Sequence, residues 1–243
     1  MNITGNSTIG EVVAHDNRTS SVFKIHNMNY CCGGKQKIEE VCRENKIDVQ
    51  LLLEELADVM NTSKEKRETY NEWSLSELAD YIEKTHHRYC DAKISEIKSY
   101  LERIVHEHGL EYPELLAINK LFLETAGEMT AHMKKEELIL FPFIRKMVKA
   151  KENGEILTPP YFGTVENPIA MMEEDHSDEG TRFDKIRKLS KDYEIPQNGC
   201  YIHKITIALL KQFEEDLHQH IHLENNILFP KAIELEKELR ERM

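Results

Sequence analysis

The chain has 243 residues, with 32 basic against 44 acidic side chains and a formal net charge of -12, a balance that disfavours a phosphate backbone as partner and so argues against nucleic acid. No apolar run approaches the roughly 20 residues that span a bilayer, and residues 1–10 lack the basic segment and apolar core of a secretory signal, so no membrane contact and a cytoplasmic location are expected. Five cysteines, two of them adjacent, fit a reducing compartment better than a disulfide framework, and 10 Gly, 7 Pro and 7% aromatic residues point to an all-α chain.

In chain order, short helices are expected over residues 9–15, 20–26, 36–45 and 49–60, making a small helical N-terminal domain over residues 1–66. The polar stretch 61–72 has little to bury and reads as a linker. Beyond it, Leu75, Leu78, Ile82, Ile94, Ile97, Leu101 and Ile104 form an apolar stripe of helical period, with Ser74 and Glu77 spaced as a capping box. A second helix is predicted over 113–148, with Pro142 as a kink or stop. Gly154, Pro159, Pro160 and Gly163 mark a crossover loop. A third helix over 168–191 begins with Pro168 in its first turn, and Pro196, Asn198 and Gly199 break the chain before a fourth. Residues 74–243 thus read as a four-helix bundle.

The bundle contains a repeat. His132-x3-Glu136-x2-Ile139-Leu140-Phe141-Pro142 matches His220-x3-Glu224-x2-Ile227-Leu228-Phe229-Pro230, 88 residues apart, and His87 and His176 stand 89 apart ahead of them. Residues four apart share a helix face, so each His-x3-Glu aims an imidazole and a carboxylate at one point. A single such pair is more often a polar helix face, but its duplication with a second histidine in each half favours metal. Four imidazoles and two carboxylates suit two iron ions better than a thiolate-rich structural zinc site, and bundle interiors are where such sites are built. Three Glu-x-x-His spacings, at Glu83, Glu173 and Glu215, ignore the repeat. His218 and His222 should point off the face of His220. Between His86 and His87 periodicity does not decide: the stripe through Ile82 and Cys90 slightly favours His86.

Cys31 and Cys32, in Tyr30-Cys31-Cys32-Gly33-Gly34-Lys35 ahead of a predicted helix, are candidate redox or iron-transfer thiols, because helix amides and a nearby lysine stabilise a thiolate. The alternative is a tight turn with two buried cysteines. The Gly-Gly-Lys lacks the spacing of a phosphate-binding loop. Cys42, Cys90 and Cys200 read as small core residues.

Together, Asn29-Tyr30-Cys31-Cys32-Gly33-Gly34-Lys35, Thr85-His86-His87, Glu174-Asp175-His176 and the two His-x3-Glu-x2-Ile-Leu-Phe-Pro runs resemble the repair-of-iron-centres family, the di-iron iron-sulfur cluster repair proteins with a hemerythrin-like bundle, over nearly the whole chain. The resemblance implies an oxo-bridged pair of non-haem iron ions. One would be held by His87, His132 and Glu136 with help from Glu224, the other by His176, His220 and Glu224 with help from Glu136. It selects His87 over His86. It also implies repair of iron-sulfur clusters damaged by oxidative or nitrosative stress, with damaged iron-sulfur proteins as clients and iron donation or exchange as the means. Rival functions at the same centre are nitric oxide reduction and O2 binding or sensing. Glu128, one turn before His132, is a candidate outer residue of the site or of an iron route. The small N-terminal domain leaves room for a homodimer.

Overall fold

The first helix is started by a reciprocal cap: the Thr8 hydroxyl accepts from the Glu11 amide (3.3 Å), and the Glu11 carboxylate accepts from the Thr8 amide (3.1 Å). From this start a computed structural model describes residues 1–62, 67–197 and 199–241, all-α among the described residues, with a single isolated bridge between Thr8 and Lys37. The N-terminal region comprises α1 (Ile9–His15), α2 (Ser20–Ile25), α3 (Ile38–Asn45) and α4 (Val49–Thr62). Their apolar faces bury Ile9, Val12, Phe23, Ile38, Cys42, Leu52 and Leu56. Arg18 pairs with buried Asp16 (2.7 Å) and donates to the Met60 carbonyl (2.9 Å), tying α4 to the turn after α1. Of the expected linker, residues 63–66 lie outside the described residues.

Longer helical stretches come next. Ser74 and Glu77 form the capping box that the sequence suggests, at 3.0 and 3.2 Å. Behind it, α5 (Leu75–Ile82) passes through a π-turn (Glu83–His87) into α6 (Arg88–His108). Next, α7 (Glu114–Lys135) passes through a π-turn (Glu136–Leu140) into α8 (Phe141–Asn153). After α9 (Glu166–Leu189), α10 (Tyr201–Leu223) passes through a third π-turn (Glu224–Leu228) into α11 (Phe229–Arg240). Pro142 does not stop its helix. It falls in the first turn after a π-turn, where a missing amide hydrogen is tolerated, and Pro230 occupies the same position in the other copy.

The chain divides into two compact units, one of residues 1–79, 147–158 and 219–243, the other of residues 80–146 and 159–218. In the second unit α7 packs against both α6 and α9. Its aromatic core is centred on Phe213 of α10, whose ring meets Phe122 of α7 (5.5 Å between centroids), Phe183 of α9 (5.7 Å) and Tyr89 of α6 (6.4 Å). In the first unit α1 packs against the π-turn Glu224–Leu228, and Phe229, Ala232, Leu235 and Leu239 are buried. No helix among the described residues is long and apolar enough to cross a membrane.

Because Phe213 touches an aromatic ring from each of the other three helices, Phe213→Ala removes the one side chain they share. A loss of about 3–5 kcal/mol in urea denaturation is expected; a loss under about 1 kcal/mol would show that the cluster is not the core of this unit.

Candidate metal centre

Four of the six candidate ligands lie in the second unit, all buried. His132 and Glu136 are one turn apart, Nε2 to Oε2 3.4 Å, and His87 Nε2 reaches the same carboxylate oxygen at 3.3 Å. His176 of α9 places Nε2 3.0 Å from Nε2 of His132, and the donor atoms of His132, Glu136 and His176 lie within 4.8 Å of one another. The geometry thus pairs His132 with His176. The resemblance sets His132 with His87, and these two imidazoles also meet the same Glu136 oxygen. The π-turn Glu83–His87 buries both His86 and His87 but in different directions: His87 turns to Glu136, whereas His86 Nδ1 lies 3.0 Å from Asp216 and its ring meets Tyr81.

The first unit carries the remaining pair. His220 and Glu224 are fully buried, Nε2 to Oε1 3.0 Å, on the last turn of α10 and the first residue of the π-turn.

Which nitrogen of each imidazole is available depends on its far side. His132 Nδ1 faces an Asp175 oxygen (3.1 Å) and His87 Nδ1 faces Glu137 (3.1 Å). A carboxylate only accepts, so each Nδ1 carries the hydrogen and each Nε2 lone pair points inward, as a metal ligand requires. The hydrogen bond from His132 pulls the Asp175 carboxyl down to about 2, with Lys135 adding to it against burial. Burial pushes Glu137 up, but hydrogen bonds from Lys134 and His87 outweigh it and leave the group below the usual carboxylate range. These donors fit a hard-to-borderline cation such as iron: inward imidazole lone pairs around carboxylates that have left water.

Asp175 and Glu137 are not singled out by the sequence pattern. The available signal is adjacency, since each is an acid next to a ligand, in Asp175-His176 and Glu136-Glu137. Glu128 is exposed and accepts from Arg182 (2.7 Å), which also pairs with buried Glu179. A further group, Glu107, His108 and Cys200, is partly exposed, and its Glu107 is already bound by Arg103 (2.8 Å).

The cysteine pair departs from expectation. No disulfide joins the two, whose Sγ atoms lie 3.8 Å apart, Cys31 buried and Cys32 half-buried. The next helix begins only at Ile38, and the Cys31 thiol is pushed well above its usual range, first by its hydrogen bond with Cys32 and then by burial. Cys31 is therefore a protonated thiol, donating to the Asn29 side-chain oxygen (3.2 Å), which also receives the Cys32 amide (2.9 Å). Cys42 and Cys90 are core residues, as expected.

The carboxylates behind the imidazoles give a direct test. Asp175→Asn and Glu137→Gln keep size but weaken the hold on Nδ1, and each should lower metal affinity about 10–100-fold in chelator competition, with the circular dichroism spectrum unchanged. Unaltered affinity in both variants would remove these residues from the centre.

Residues 78–232 match the family model described as Hemerythrin HHE cation binding domain, and residues 5–60 match one described as Domain of Unknown function (DUF542). The chain is similar to the iron-sulfur cluster repair protein YtfE of Dickeya chrysanthemi (strain Ech1591), 29% identical over 226 residues that cover 93% of this chain and 96% of that protein. It is also similar to the proteins of the same name from Yersinia pestis (strain Pestoides F), 29% identical over 94% of this chain and 97% of that one, and Salmonella typhimurium, 28% identical over 93% and 96%. With its buried histidines and glutamates inside the matched segment, the chain belongs to the hemerythrin HHE cation-binding family.

Proposed function

We propose that this chain is a di-iron protein that repairs iron-sulfur clusters damaged by oxidative or nitrosative stress, giving up or exchanging iron to damaged client proteins in the cytoplasm. The observation that carries the metal part is the arrangement of His132, His176 and Glu136, with Asp175 fixing the inward nitrogen of His132. The repair part rests on relatives along nearly the whole chain that bear that name, and on the cysteine-bearing segment, matched over residues 5–60, that precedes the segment matched over residues 78–232.

In this reading six side chains hold two non-haem iron ions. The six would be His87, His132, Glu136, His176, His220 and Glu224. When bound, the pair would supply redox-active, exchangeable metal. The protein's own part is to keep the imidazoles neutral and aimed. Glu137 and Asp175 hold the outer hydrogens of His87 and His132, so that neither ring needs to turn as metal arrives or leaves. Imidazole and carboxylate donors release iron more readily than a thiolate cage, which suits a donor. Cys31 and Cys32 are proposed as the thiols that take up iron, or give up electrons on joining in a disulfide, during transfer.

Glu136→Gln and Glu224→Gln each remove one of the two candidate carboxylate ligands. Iron per chain should fall to one half or less in both, and repair of a nitric oxide-damaged cluster in a purified client should be lost with it. Full iron content in both variants would end the assignment. Mössbauer spectra of protein purified without added metal should show a coupled pair of iron sites, whereas zinc alone or one metal per chain would overturn the di-iron reading. The rival enzyme, nitric oxide reduction, predicts anaerobic consumption of NO with formation of N2O, and a donor predicts iron loss without it.

A further inference from the structure

The repeat is symmetric in its ligands and asymmetric just outside them. Position 138, the third residue of the first copy's π-turn, is leucine and 73% exposed; its counterpart 88 residues on is Asn226, partly buried. Position 134 is an exposed lysine, and its counterpart His222 is 1% exposed. In the second copy something covers this face, and the contacts show that it is the cysteine loop.

Asn226 lies two residues after Glu224 within the π-turn Glu224–Leu228. Its amide nitrogen donates to the carbonyls of Tyr30 and Cys31, each at 3.1 Å, and lies 3.0 Å from Nδ1 of His222 one turn earlier. The His222 ring packs on Tyr30, 5.8 Å between centroids. Two glycines close the other side: the Gly10 amide donates to the Gly34 carbonyl (2.8 Å), and a Cβ at either glycine would overlap the Asn226 side chain. Only glycine therefore admits the asparagine at both positions, from α1 and from the loop.

We propose that Asn226 is the positioning residue that couples the metal-holding turn to the thiols: it clamps the backbone of Cys31 while His220 and Glu224 hold metal, and releases the loop when the metal leaves. The coupling part rests on the function proposed above. Glu224 opens the turn in which Asn226 sits, and a buried carboxylate without its cation is left with neutral partners such as His220, so this turn is where loss of metal acts on the backbone. A shift of that residue displaces an amide two positions on, whose hydrogen bonds to Tyr30 and Cys31 tolerate little change in distance or angle. Linkage makes the effect reciprocal, so opening of the loop weakens metal at His220 and Glu224. The functional consequence is an order of events, in which Cys31 stays shielded until iron departs.

The test is the rate at which iodoacetamide alkylates Cys31, mapped by mass spectrometry, in iron-loaded and metal-free full-length protein. Wild type should react at least about tenfold faster when metal-free, the size expected from exposing one buried, hydrogen-bonded group. Asn226→Asp keeps the shape but removes the donors, and Asn226→Leu copies the first repeat; both should react fast in either state, with iron content like wild type when first loaded and faster iron loss to a chelator. Gly34→Ala, which displaces the same amide from the loop side, should behave alike. Equal Cys31 rates in loaded and metal-free wild type would overturn the coupling, and a slow rate in folded Asn226→Asp would overturn the clamp. Absence of iron from wild type, seen in metal analysis before any labelling, would instead overturn the di-iron reading; the clamp then stands or falls on whether Asn226→Asp reacts faster than wild type.

Discussion

Two glutamates with no exposure to water set the terms for this molecule. Glu136 and Glu224 each lie wholly inside a unit of the fold, each one turn from a buried histidine. An ionised carboxylate in such a place is tolerated only with compensating charge, and a neutral imidazole supplies none. A bound cation would provide the compensation at either glutamate. The rest of the arrangement comes from needing the inward lone pairs in place beforehand: the exposed-side acids Asp175 and Glu137 fix the tautomers of His132 and His87, and lysines at positions 134 and 135 anchor the acids in turn.

The π-turns explain how one helix serves both as ligand carrier and as core. Each duplicated glutamate is the first residue of a π-turn, and the Ile-Leu-Phe-Pro tail runs through and beyond it. One extra residue in a turn rotates the succeeding helix by about 100° relative to an unbroken α-helix. The imidazole and carboxylate thus face the centre in one phase while Leu140 and Phe141, or Leu228 and Phe229, reach the core in another. A periodicity count that assumes one phase throughout cannot see this, which is why Pro142 reads as a stop. It is also why periodicity does not separate His86 from His87: the stripe through Ile82 and Cys90 extrapolates across the π-turn Glu83–His87 that resets it.

The features most legible in the sequence are those that repeat or cap locally. The all-α class, the Ser74–Glu77 cap and the limits of most helices depend on neighbours within a turn, and the His-x3-Glu duplication is visible as text. Pairings made across the fold are not visible. His132 meets His176 from 44 residues away, and Asn226 meets Tyr30 and Cys31 from more than 190, so no local pattern could announce either. The cysteine pair misleads for a related reason. Its expected activation assumes a helix start beside it, but the chain spends residues 33–37 turning against α1 before Ile38 begins the helix, and burial then works against ionisation.

Duplication itself makes that loop contact intelligible. Each copy of the repeat carries an outer face on its π-turn, and the cysteine loop covers that of the second copy. The first copy keeps Lys134 and Leu138 toward solvent; the second carries His222 and Asn226, a pair that only makes sense beneath a polar backbone loop. A leucine at position 226 would leave the Tyr30 and Cys31 carbonyls without their donor, and an asparagine at 138 would gain nothing from water that it did not already have. The His-x3-Glu faces stay alike in the two copies, while the outer faces diverge where one of them meets the cysteine loop. Symmetry is retained where the chemistry is shared and lost where the chain has one partner to place.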